Sequence, residues 1–143
     1  MASGRERPSL SNPTRTFWGI LAAIGLFFVA MTVAALIAVQ LGIISGPGES
    51  IDLGRWLMFE ILIGSVIGLA AGALCRRLTA SSRAPLGLAI FMFILALLEA
   101  AELSRHAGAG AIDAPVWLVW SAPMVLLLAI WLGGKIGALA RQD

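Results

Sequence analysis

Four long apolar runs, separated by short clusters of Gly, Pro, Ser and charged residues, set the rhythm of this chain. They cover residues 17–44, 56–75, 86–103 and 116–134, and the last keeps its apolar character almost to 140. A helix of roughly 20 apolar residues crosses the hydrocarbon core of a bilayer. The second, third and fourth runs match that length. The first exceeds it and is expected to tilt or to project beyond the bilayer. The breaks are Ser45-Gly46-Pro47-Gly48, Ser81-Ser82-Arg83-Ala84-Pro85 and Gly108-Ala109-Gly110, all residue types that interrupt helices. Such short connections predict that consecutive helices lie side by side and antiparallel. The fold class that follows is all-α: a polytopic membrane protein, an antiparallel four-transmembrane-helix bundle over residues 17–140. Residues 1–16, with Pro8, Pro13 and several Ser, read as a disordered cytoplasmic tail.

Composition agrees with a lipid solvent. Of 143 residues, 59% are hydrophobic and 13% charged, whereas a soluble domain has about 25% charged residues. A water-soluble chain of this size could not hide that much apolar surface. The net charge of +2 is no nucleic-acid footprint. The single cysteine, Cys75, excludes an intramolecular disulfide and an all-cysteine metal site. The first apolar run is too long for a signal peptide and lacks a small-x-small cleavage site ahead of a polar chain, so it is expected to be retained.

Lys and Arg set the expected orientation. Arg5, Arg7, Arg15, Arg76, Arg77, Arg83, Lys135 and Arg141, eight of the ten cations, fall on one side of the four spans. The other side has Arg55 and Arg105 beside the acids Glu49, Asp52 and Asp113. The positive-inside rule then predicts a multi-pass protein of the cell inner (plasma) membrane with both termini cytoplasmic. Trp56, Trp117 and Trp120 would form an aromatic belt at the outer interface, Trp18 and Trp131 one at the inner.

The second and fourth spans start alike. Ile51-Asp52-Leu53-Gly54-Arg55-Trp56-Leu57 and Ile112-Asp113-Ala114-Pro115-Val116-Trp117-Leu118 share I-D-x-x-x-W-L at an offset of 61. Their ends, Gly72-Ala73-Leu74-Cys75-Arg76 and Gly137-Ala138-Leu139-Ala140-Arg141, match at an offset of 65. One reading is a tandem repeat of two helical hairpins related by a pseudo-two-fold axis along the membrane normal. The other is that two spans starting at one interface use the same Asp cap and Trp anchor independently.

Small residues recur at helical spacing. Gly64, Gly68 and Gly72 form a GxxxGxxxG stripe, a glycine zipper, on the second span. Ala30, Ala34 and Ala38 make a similar stripe on the first, and Gly133 and Gly137 a shorter one on the fourth. Lipid gives no hydrophobic drive for helices to associate, so close backbone approach supplies dispersion and weak hydrogen bonds instead. The stripes suit packing within the bundle, and also a homodimer or a membrane-protein partner.

Ionisable groups inside the spans are the candidate chemistry. Glu60 lies in the second span, and Glu99 and Glu102 near the end of the third. The spacing puts Glu99, Glu102 and His106 on one helix face. Antiparallel pairing brings all of them to one depth near the outer face, with Arg55 or Arg105 as counter-charges and Gln40 at the same level. A carboxylate at the bilayer centre costs about 2.5–3.5 kcal/mol on insertion scales, and less near the interface. Three readings stand: a snorkelling and packing cluster, a proton or cation relay built on crowded carboxylates, or a metal site using the E-x-x-E-x-x-x-H run. The last lacks the second E-x-x-H helix of di-metal bundles, so no metal is expected.

No H-E-x-x-H, C-x-x-C or G-x-S-x-G motif occurs. No cofactor is expected, and the chain does not read as an enzyme. The glycine-striped second span ending in Cys75-Arg76-Arg77, the Pro115-Val116-Trp117 start of the fourth and its Leu132-Gly133-Gly134 ending resemble a diffuse group of small, uncharacterised four-helix bacterial inner-membrane proteins. That resemblance implies a location and no activity. Small multidrug-resistance transporters are also four-helix proteins, but their membrane glutamate lies in the first helix, which here has no acid. The functional expectation is an accessory or structural role through helix packing. The alternative is a small proton- or cation-coupled transporter that uses the membrane carboxylates.

Overall fold

The computed structural model describes residues 13–44, 52–79, 81–107 and 115–140, apart from the side chains of Leu53, His106 and Ala107. These residues form four helices: α1 (Pro13–Gln40), α2 (Leu53–Thr79), α3 (Ala84–Ala107) and α4 (Val116–Leu139). All four are long and apolar enough to cross a membrane. The chain is an all-α, multi-pass membrane protein. The glycine-rich breaks at 45–48 and 108–110, Glu49, Asp113, Arg5, Arg7 and Arg141 lie outside the described residues.

Local chemistry sets the helix ends. Helix α1 begins at Pro13, so residues 13–16 belong to its first turn rather than to the tail; proline is preorganised for that position. It stops at Gln40 rather than at 44. Gly42 takes φ 67°, its N–H bonds Val39 O at 3.0 Å, and the Ile43 N–H bonds Ala38 O at 2.9 Å. This pair of bonds is a Schellman stop, which needs the left-handed conformation that glycine adopts without strain. At the start of α2, Asp52 Oδ1 accepts the Arg55 N–H at 3.1 Å, an N-cap. At its end the Thr79 hydroxyl donates to Cys75 O at 2.7 Å and accepts the Ser81 N–H at 3.3 Å. Ser81 Oγ in turn accepts the Arg83 N–H at 3.3 Å, which leads the chain into α3.

Helices α2 and α4 run parallel and form the main contact of the bundle; α1 packs on α2 and α3 on α4. Consecutive α2 and α3 touch much less, so the central pair is not the neighbouring one that short loops suggest. Helices α1 and α3 meet each other on one side of the central pair. The outward faces stay apolar and uncovered, as at Leu62, Val66 and Leu98, which suits lipid as solvent.

Glycine explains why α2 and α4 pair. A Cβ on Gly72 would collide with the Ile130 carbonyl oxygen, and a Cβ on Gly133 would collide with that of Leu69. These contacts are reciprocal, because Gly72 and Gly133, like Leu69 and Ile130, stand 61 residues apart. On the line between the helices, a Cβ on Gly68 would sit 3.4 Å from the Ala129 Cβ, and those positions also differ by 61. The α2–α4 seam therefore has a local pseudo-two-fold relation at the offset of the I-D-x-x-x-W-L pattern. Helices α1 and α3 do not follow it, since both lie on one side of the pair. Gly64 leaves the seam: its nearest cross-helix atom is Met31 Sδ at 4.0 Å.

Two apolar cores result. One, near the arginine-rich end, gathers Ala23, Phe27, Ala71, Cys75, Leu88, Met92 and Ile130 from all four helices. The other, toward the opposite end, holds Leu57, Ala100, Leu118 and Val119 and, among the described residues, takes nothing from α1.

Candidate functional site

Between the two cores lies a cavity of about 170 Å³, lined by residues of all four helices. Phe27 and Met92 at its base also belong to the first core. Leu57, Ala100 and Val119 close it toward the opposite end as part of the second. Its walls are mostly apolar, and among the described residues its only charged ones are Glu60 on α2 and Glu99 on α3. Glu60 lies seven residues into α2 and Glu99 eight residues before the end of α3, which places each roughly 10–12 Å from its helix end at 1.5 Å per residue. Antiparallel α2 and α3 so bring the two carboxylates to one depth on one cavity.

The polar detail of the wall is sparse. The Ser65 hydroxyl is spent on the Ile61 carbonyl oxygen one turn back. Pro123, buried within α4, has no N–H to give the Val119 carbonyl, and both residues line the cavity. Neither Glu60 nor Glu99 has an ion-pair partner among the described residues, where the two ion pairs are Arg55–Asp52 and Arg105–Glu102.

The expected cluster therefore divides. Glu60 and Glu99 come together. Glu102 points away from the cavity, exposed, and pairs with Arg105 at 3.1 Å. At 3.6 residues per turn, three residues leave Glu102 about 60° around α3 from Glu99, on the side away from the wall. Arg55 does not reach Glu60, because it is held by the nearer cap Asp52 at 3.1 Å. Gln40 is exposed at the end of α1 and is no part of the cavity lining. The His106 side chain lies outside the described residues. No group of His, Cys, Asp and Glu among the described residues could hold a metal ion. Of the glycine stripe, Gly68 and Gly72 serve the α2–α4 seam, while Gly64 lines the cavity, where its missing side chain leaves room.

Sequence reasoning overlooked Phe27, Phe28, Met31, Met92 and Pro123 as cavity residues, since each resembles ordinary apolar span. Pro123 offered a signal: a proline inside a span is tolerated where neighbouring helices or a cavity accommodate the freed carbonyl. Ala129 was readable as the partner of Gly68 from the offset of 61.

No protein-family model, curated protein or solved structure matches this chain.

Proposed function

We propose that this protein is a small non-enzymatic membrane carrier in which Glu60 and Glu99 form a proton- or cation-binding site. One observation carries the reading: Glu60, partly buried, and Glu99, exposed at the cavity's edge, line one cavity from different helices with no ion-pair partner among the described residues. Carboxylates within a spanning bundle are costly, and those that face an interior cavity mark ion or substrate pathways. The positive-inside rule further supports an inner (plasma) membrane location with the arginine-rich end cytoplasmic. A role confined to helix packing with a homodimer or a membrane-protein partner has less support, because the Gly68 and Gly72 surface is already occupied by α4.

The test is transport by the full chain in proteoliposomes, read as charge movement on a solid-supported membrane. Sodium, potassium, ammonium and organic ammonium ions are added in turn, with and without a pH gradient. At least one cation is expected to evoke a current that empty liposomes lack and that Glu60→Gln with Glu99→Gln abolishes. A current that persists in the double variant, or no current with any cation, would sink the carrier reading.

A further inference from the structure

We infer that the cavity takes a lipophilic organic cation about the size of one aromatic ring, which enters sideways from the bilayer between α1 and α3. This rests on the carrier reading and names its substrate class. Access is the first argument. The cavity is bounded toward the arginine-rich end by a core drawn from all four helices, and toward the opposite end by packed α2, α3 and α4. The side is different. Among the described residues, its exposed lining residues are Phe28 on α1 and Leu95 and Glu99 on α3, whereas no lining residue of α2 or α4 is exposed. The mouth therefore lies between α1 and α3, on a flank of spanning helices that faces lipid. A small inorganic ion would have to shed its water to take that route. A cation that already partitions into the bilayer does not.

Chemistry of the wall is the second argument. Phe27, Phe28, Met31 and Met92 give polarizable, apolar contact, and an aromatic face attracts a cation. Glu60 and Glu99 supply the complementary charge. A binding site with this apolar surface and two carboxylates discriminates by charge and by hydrophobicity together. Size is the third. A cavity of about 150 Å³ holds a benzene ring, and this one measures about 170 Å³. Benzyltrimethylammonium keeps its charge at every pH; its ring matches that volume, and its trimethylammonium group, which does not fit beside the ring, lies at the mouth by the exposed Glu99.

The experiment is equilibrium binding of radiolabelled benzyltrimethylammonium to the full chain in lipid nanodiscs, with no transport required. Saturable binding is expected, with displacement at least about tenfold weaker for the uncharged isostere neopentylbenzene and for sodium. Glu60→Gln and Glu99→Gln should each weaken binding by at least about tenfold, while unchanged elution and melting show that they fold. Leu95→Trp narrows the mouth and should slow association more than it changes equilibrium binding. Equal displacement by neopentylbenzene or by sodium, binding retained in both glutamine variants, or association unaffected by Leu95→Trp would each overturn the inference. A chain that moves sodium or protons but does not bind benzyltrimethylammonium keeps the carrier reading and loses this one. Binding without any current does the reverse.

Discussion

Gly72 of α2 lies against the backbone of Ile130 of α4 so closely that a single added carbon would strike the Ile130 carbonyl oxygen. Its counterpart, Gly133 against Leu69, repeats the contact 61 residues on. Two parallel helices are thus held where lipid offers no hydrophobic drive, by dispersion and Cα–H···O contacts along a flat seam.

Alanine at Gly72 or Gly133 should therefore force the helices apart. Overpacking of a well-packed contact costs about 1–3 kcal/mol. We expect a melting midpoint lowered by several degrees in detergent, measured by loss of the monodisperse peak after heating. Gly25 and Gly87 have nothing within 4 Å of a built Cβ, so alanine there should be neutral or stabilising by about 0.5–1 kcal/mol through helix propensity. If all four variants melt alike, the seam does not hold the bundle.

A second close approach joins α1 to the end of α2. A Cβ on Gly19 would stand 2.5 Å from Thr79 Cγ2. Thr79 is buried, and its hydroxyl bonds both Cys75 O and the Ser81 N–H. Gly19→Ala should be destabilising, and Thr79→Ser, which keeps the hydroxyl and removes the offending methyl, should restore part of the loss. A double-mutant cycle is expected to give a coupling of about 0.5–3 kcal/mol, the range for residues in contact. Additive losses would mean that the two residues do not meet.

Cys75 is fully buried in the core near the arginine-rich end. In the folded protein it should resist a membrane-permeant maleimide for as long as the bundle is intact. Denaturation in hot dodecyl sulfate should then allow complete labelling within minutes. Rapid labelling of the native chain would show that the α1–α3 flank opens down to this core.

The four spans were legible because lipid demands long apolar runs, and so was the Asp52 cap at the start of α2. The ends of α1 were not, because Pro13 read as part of a polar tail and the glycine stop at Gly42 lies inside an apolar run. Arg55 was misread: Asp52 and Glu60 are both within its reach in sequence, and only the cap geometry decides between them. Helical spacing joined Glu99 to Glu102, yet the cavity lies to one side of α3 and accepts Glu99 alone. The α2–α4 pairing was hidden for another reason. Loop length favours consecutive neighbours, whereas the glycines at 68, 72 and 133 give the closest approach to a helix that is not consecutive.

The split between Glu99 and Glu102 can be tested directly. The two stand three residues apart on α3, and any account based on a general acidic surface treats them alike. Both are exposed, but Glu102 lies off the cavity wall and pairs with Arg105 at the helix end, an interaction of a kind worth about 0–1 kcal/mol. Glu102→Gln should leave benzyltrimethylammonium binding and cation-evoked current within about twofold of the wild type, since it removes only long-range charge screened by solvent. Glu99→Gln changes the cavity wall itself and should remove most of both signals. Equal losses in the two variants would show that the site is a diffuse field of negative charge rather than a pair of carboxylates on one cavity.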